Sequence, residues 1–279
     1  GNSVILRGGS EAFNSNKAIE KAISKALVAE GVPPESVTLI PTNDRSAIKD
    51  LLSLEEYIDL VIPRGGEGLI RYVAENSRIP VIMHYKGVCH MFADESADQE
   101  MAKRILLDGK ASRPGVCNAL ETLLIHKNAA HRLLPALSSA LLENGVEIRG
   151  CPQVCQKVPE ALPADQSDWE AEYLSLTLAV KIVASLEDAI EHIRRFGSDH
   201  TEVIVTNDLK NASRFIRDVD SSVVMVNASS RFSDGGEFGL GAEIGISTSK
   251  LHSYGPMGIK ALTTQKFIVY GQGETRHPV

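Results

Sequence analysis

The chain has 279 residues, 43% hydrophobic and 23% charged, a balance that suits a globular protein and excludes a disordered one. Its 29 lysines and arginines against 36 aspartates and glutamates give a formal charge of -7 with no basic run, which argues against nucleic acid as a partner. No uninterrupted apolar stretch reaches the roughly 18 residues of a membrane helix, no signal sequence opens the chain, and four cysteines are too few for a disulfide scaffold, so the reading is a cytoplasmic protein with free thiols and no membrane partner.

The chain begins at Gly1 and runs at once into Val4-Ile5-Leu6, which reads as a buried strand. Ala18, Ile19, Ala22, Ile23, Ala26 and Leu27 recur at helical spacing until Gly31 supplies a stop. Strands are then predicted over 37–40, 58–62 and 79–83, with helices over 45–52 and 68–74. The alternation continues with a strand over 88–93, a helix over 98–108, a mostly apolar segment over 120–126, a helix over 131–144 and a short strand over 146–149. Residues 150–168 read as a surface connection. A strand-like run over 174–183 follows, then helix, strand, helix and strand over 186–196, 202–206, 209–219 and 223–227. A glycine-rich stretch fills 233–258, and β-branched and aromatic residues over 263–270 predict a closing strand. Alternating strands and helices at this spacing mean crossover units and parallel sheets, an α/β fold in one large domain or two ordinary ones.

Two predicted strand ends carry the same kind of loop: Arg7-Gly8-Gly9-Ser10-Glu11 after 4–6 and Arg64-Gly65-Gly66-Glu67 after 58–62. Glycines there let backbone amides approach a phosphate while arginine supplies charge, so the pair suggests a dinucleotide; the plainer reading is two tight turns. Cys117 follows the helix-breaking Pro114 and Gly115. Such a thiol can be exposed, with neighbouring amides lowering its pKa and holding an oxyanion, or it can be a small buried hydrophobe. Cys89 fits core strand. Cys151 and Cys155 lack two further ligands nearby, so no metal is expected. Glu170 and Glu172 are either a solvated face or acceptors for ribose hydroxyls. The stretch 227–248, with its glycines, Arg231 and Phe232, reads as a loop covering an active site or as a flexible surface loop.

RPGVCNALETLLIH over 113–126, NASSRFSDGGEFGLGAEIGIST over 227–248 and GPMG over 255–258 resemble the gamma-glutamyl phosphate reductase family, the proline-biosynthetic branch of the aldehyde dehydrogenase superfamily. VILRGGSEA over 4–12, VIPRGGEGLI over 61–70 and HTEVIVTND over 200–208 extend the resemblance over essentially the whole chain. It implies an aldehyde dehydrogenase-like fold with two parallel-sheet α/β domains: the latter part of a coenzyme-binding domain over 1–86, a catalytic domain over 87–252, and an arm over 253–279 whose strand joins a neighbouring subunit. It implies NADPH-dependent reduction of L-glutamate 5-phosphate to the semialdehyde through a Cys117 thioester. The Asn118 or Cys117 amide would be the oxyanion donor. Arg7 to Glu11, Arg64 to Glu67 and Glu172 would face NADPH, and Arg231 and Phe232 would grip the substrate. A homo-oligomer is implied, and the labile acyl phosphate makes a glutamate 5-kinase a candidate partner.

Two departures stand out. His84 falls where hydrolytic superfamily members place a glutamate base, which disfavours hydrolysis of the thioester. Family members also carry a long segment before the strand at Val4, so the chain reads as cut inside a fold; the alternative function is an impaired homologue acting only as a binding or assembly module.

Overall fold

The structure, a computed structural model, describes residues 1–83 and 86–277, and His84 lies outside them. The chain divides into two compact units, one of residues 1–61, 75–81 and 262–279, the other of 62–74 and 82–261.

In the smaller unit the first apolar run forms β1 (Val4–Leu6). The helical repeat forms α1 (Phe13–Ala29), after which Gly31 takes the left-handed φ of 69° that a side chain would resist. β2 (Val37–Leu39) pairs parallel with β1, and α2 (Ser46–Leu52) follows. The expectation that β1 is buried fails: Val4, Ile5 and Leu6 are 42%, 48% and 42% exposed, because the ladder gives this strand a single neighbour among the described residues. The strands predicted over 58–62 and 79–83 shrink to one parallel bridge, Val61 to Val81. Pro63 and Pro80 bring no N–H to a ladder, which keeps it from extending. Residues 263–270 are not a strand either. Phe267, Val269 and Tyr270 are almost fully exposed, and a strand former without a ladder partner has nothing to pair with.

The larger unit holds α3 (Glu67–Asn76) over its first turns and then β3 (Cys89–Ala93), α4 (Gln99–Ala111), β4 (Leu120–His126), α5 (Ala130–Glu143) and β5 (Glu147–Gly150). Next come α6 (Pro152–Cys155), β6 (Leu162–Pro163), β7 (Thr177–Val183), α7 (Leu186–Phe196), β8 (Thr201–Val205), α8 (Leu209–Asp218) and β9 (Val223–Val226). β3 to β9 form one parallel sheet in the order β6-β5-β7-β4-β3-β8-β9. The two-residue strand period decides which layer each side chain enters. Met91, Leu123 and Val203 stand in register and pack in a core with α4 and α5 residues such as Leu106 and Leu133. Their successors Phe92, Leu124 and Ile204 face the other way, against Ile190, Ile193 and Phe215 of α7 and α8.

Residues 150–168 are more than a surface connection. They contain α6 and β6, and they bury Cys151, Val154, Val158 and Ala161 in the core. The glycine-rich stretch ends in β10 (Ile246–Ser247), antiparallel to β11 (Gly255–Pro256). Among the described residues no helix is long and apolar enough to cross a membrane.

Candidate active site

At the carboxyl ends of β3 and β8, where doubly wound sheets usually open a ligand crevice, the chain is closed by polar bonds. Asp94, 1% exposed, accepts from Thr206 at 2.6 Å and from the Asn211 amide at 3.1 and 3.2 Å, and the Ser96 hydroxyl reaches it at 3.2 Å. Functional side chains gather instead at the amino ends of the strands.

Cys117 sits in the turn that feeds β4, where the Ala119 N–H donates to the Val116 carbonyl at 3.0 Å. It therefore lies in a turn that leads into a strand and not into a helix. Its main chain lies against Gly87, just before β3: a Cβ at Gly87 would fall 2.1 Å from the Cys117 oxygen and 2.8 Å from its Cα. From the other side the Cys89 thiol donates to the same oxygen at 3.3 Å. The Cys117 backbone is thus fixed by packing, and its side chain is half-buried.

A backbone amide does lower the Cys117 pKa, as one of the two sequence readings has it, but burial outweighs it. Burial pushes the thiol up, the Glu243 and Glu172 carboxylates add to the rise, and a backbone hydrogen bond and the Arg64 guanidinium only oppose it. The resting thiol is therefore harder to ionise than a free one. Cys89, fully buried near Glu202, lies much further above the usual thiol range and stays an inert core residue.

The surrounding residues come from several elements of the larger unit. Glu172, before β7, accepts from the Gly87 N–H at 2.8 Å, so one glycine both admits the Cys117 backbone and fixes a carboxylate. Asn118 is buried, its amide donates to the Ser233 carbonyl at 3.0 Å, and its Oδ1 has no protein partner. Ser233 in turn accepts from the Thr201 hydroxyl at 2.9 Å. The start of the glycine-rich stretch is consequently tied to the turn through Ser233, while residues 236–244 are exposed. Gly235 donates to Glu243 at 2.8 Å, and Asp234 accepts from the amides of Gly236 and Glu237. Gly245 lies so close to Arg64 that a Cβ would stand 3.0 Å from Nη1.

The remaining sequence candidates are distributed unequally. Arg64, Gly65 and Gly66 are exposed ahead of α3, and Glu67 takes Arg71 at 2.6 and 2.9 Å, which lowers its pKa. Arg231 and Phe232 form a short 3₁₀ turn whose N–H at Arg231 is capped by the Ser229 hydroxyl, with Phe232 half exposed. Arg7, Gly8, Gly9, Ser10 and Glu11 belong to the smaller unit, in the loop from β1 to α1. There Arg7 donates to the Asn43 carbonyl at 2.8 Å, while its buried Nε has no protein partner.

Sequence reading missed three participants. Gly87 and Glu243 act through tertiary approach, which no local pattern announces, although Glu243 lay inside the quoted glycine-rich motif. The third is the ion pair of Lys110 on α4 and Glu121 on β4, 2.6 Å apart with both side chains fully buried. Burial pushes Glu121 up to about 7 and Lys110 down, against their mutual attraction. Among the described residues no group of three or more metal-ligating side chains gathers. A cleft of about 470 Å³ in the same unit is lined by Lys86, Val88, Arg195, Asp199 and Thr248 without Cys117, so it is the chemistry of the turn that marks the site.

Comparison with known proteins agrees with this architecture. The aldehyde dehydrogenase family model matches residues 1–147, and an acetylating aldehyde dehydrogenase from Geobacillus thermoglucosidasius shares the fold with a TM-score of 0.74 at 16% identity, covering 99% of this chain and 70% of that one. The chain belongs to the aldehyde dehydrogenase family. Within it, the chain is 62% identical over its full length to gamma-glutamyl phosphate reductase from Salinibacter ruber and 58% identical over 99% of its length to that from Desulfatibacillum aliphaticivorans. The crystal structure of gamma-glutamyl phosphate reductase from Thermotoga maritima superimposes with a TM-score of 0.95 at 47% identity, covering 99% of this chain and 67% of that one. The chain spans 64% and 66% of the length of the first two relatives.

Proposed function

We propose that this chain carries the catalytic part of an NADPH-dependent reductase that converts L-glutamate 5-phosphate to L-glutamate 5-semialdehyde and phosphate in the cytoplasm, as a step of proline biosynthesis. The observation that carries the reading is the Cys117 turn: a half-buried thiol whose backbone is clamped by Gly87 and Cys89, in a chain 58% and 62% identical to gamma-glutamyl phosphate reductases. In this reading the Cys117 sulfur attacks the acyl carbon, the carbon–oxygen bond to phosphate breaks, and a thioester holds the glutamyl group. The Asn118 or Cys117 amide stabilises the oxyanion, and the Arg231 fork takes a substrate carboxylate beside Phe232.

The residues present fit a nicotinamide coenzyme. In the larger unit the exposed turn Arg64 to Glu67 suits a pyrophosphate and the Glu172 carboxylate suits a ribose hydroxyl; in the smaller unit, taken by itself, the buried Nε of Arg7 without a protein partner suits a phosphate at the loop Arg7 to Glu11. Bound there, NADPH would supply hydride to the acyl carbon. Residues 263–270, with Phe267, Val269 and Tyr270 exposed, support a homo-oligomer in which this segment joins a neighbouring subunit. A glutamate 5-kinase is the proposed source of the labile substrate.

The test is Cys117→Ser, assayed by the phosphate-dependent oxidation of glutamate semialdehyde with NADP. Activity should vanish while coenzyme binding, measured by calorimetry, persists. Undiminished turnover in the variant would remove the nucleophile from this reading. A wild-type protein that binds no coenzyme yet self-associates would favour the assembly-module alternative.

A further inference from the structure

Resting on the coenzyme reading above, we propose that Lys110 and Glu121 are positioning residues for Glu172: their buried pair holds the segment 172–174 by its backbone and so keeps the Glu172 carboxylate anchored at Gly87 for a coenzyme ribose.

Glu172, Tyr173 and Leu174 are each tied to a different part of the larger unit. The Glu172 carboxylate accepts from the Gly87 N–H at 2.8 Å, and Gly87 is the residue that packs against the Cys117 backbone. The Tyr173 ring lies 5.9 Å from the Lys110 ammonium, and its hydroxyl donates to Asp168 at 2.7 Å. The Leu174 N–H donates to Glu121 Oε1 at 3.3 Å, while the other oxygen of that carboxylate takes Lys110 at 2.6 Å. The Leu174 carbonyl lies on the cysteine turn, where a Cβ at Gly115 would stand 3.7 Å from it. A carboxylate on β4 is thus joined, through a short run of backbone, to the carboxylate anchored at Gly87.

Leu174 is where this connection is needed. Its φ of 53° is left-handed, a conformation that leucine resists, and its side chain is 48% exposed, so side-chain burial does not enforce it. The backbone enforces it instead, through the bond to Glu121 on one side and the start of β7 at Thr177 on the other.

Stability alone does not account for the pair. Both side chains are fully buried, and desolvating two charges costs about as much as their attraction gains, so an apolar pair of similar volume would serve the core equally. Such a pair would offer Leu174 no acceptor. Lys110 fixes the Glu121 carboxylate in one orientation, and that orientation presents the second oxygen to a backbone N–H. Glu172 is also close enough for its charge to add to the rise of the Glu121 pKa.

The experiment measures the Kd for NADP by calorimetry, the KM for semialdehyde and the urea midpoint of each variant. Lys110→Met/Glu121→Leu removes the charges and the acceptor together. It should bind NADP about 10-fold more weakly at a nearly unchanged urea midpoint, with little change in the KM for semialdehyde. Lys110→Met/Glu121→Gln restores an oxygen for the Leu174 N–H and should recover most of the affinity. Leu174→Pro removes the N–H at an exposed position with the buried pair intact; it should match the leucine variant, and it carries the test if that variant does not fold. In a Glu172→Gln background neither change should weaken NADP binding further, because the carboxylate they position is already gone. Unchanged affinity in Leu174→Pro or Lys110→Met/Glu121→Leu, a glutamine variant as weak as the leucine one, or additive losses in the Glu172→Gln background would each overturn the proposal and leave the pair a structural role. A wild-type protein that binds no NADP, or a Glu172→Gln variant that binds it as tightly as wild type, would instead sink the coenzyme reading, and the proposal with it.

Discussion

Around Cys117 the decisive contacts are backbone contacts. Gly87 has no side chain because the Cys117 carbonyl occupies that space, and its N–H is at the same time the anchor of Glu172. Gly87→Ala should therefore displace the turn, at a cost of about 1–3 kcal/mol in urea unfolding and with a visible loss of turnover; an alanine variant of full stability and activity would show that the turn can yield. The Lys110–Glu121 pair makes a separate prediction. Because Glu121 titrates at about 7 in the fold against an ordinary 4.5, the native state binds more protons than the unfolded state between those values. Stability should fall as pH rises through that window, and Glu121→Gln should flatten the fall in urea midpoints taken from pH 5 to 7. Lys110→Met should cost about 3–5 kcal/mol at pH 8, since it leaves a carboxylate buried without its cation.

At the scale of elements, the strands do two jobs with their two ends. Carboxyl ends are sealed by the Asp94, Thr206 and Asn211 bonds, and they also start helices: Asp208 accepts from the amides of Lys210 and Asn211 at the start of α8. Asp208→Ala should cost about 1 kcal/mol, measurable by thermal or urea unfolding, with kinetics at the distant amino ends unchanged. Amino ends carry Gly87, Cys117, Glu172 and His200, the residues or neighbours of the candidate site. The longer helices and most strands were legible, because apolar period and capping residues are local, while the short α6 was read as part of a surface connection. Residues 58–62 and 79–83 fell short of the strands predicted because Pro63 and Pro80 stop the ladder beyond the Val61–Val81 bridge, which strand propensity alone does not weigh.

For the whole molecule the contrast lies in burial. Most of the core belongs to the seven-stranded sheet, whereas the smaller unit buries little beyond Leu52 and Ile79 and leaves β1 exposed. Amide hydrogen exchange should be slowest in β3, β4 and β7 and faster by orders of magnitude in β1 and β2; uniform protection would contradict the division into units of unequal stability. By itself the sequence determined the α/β class, the family resemblance and Cys117 as the reactive candidate, because period, punctuation and motif are all written along the chain. Tertiary structure alone decided that burial raises the pKa of this thiol, that Gly87 packs against its backbone, and that Ser233 of the glycine-rich stretch is tied to Asn118 beside it. Those outcomes depend on burial and on distances between residues far apart in sequence, quantities that no local pattern contains.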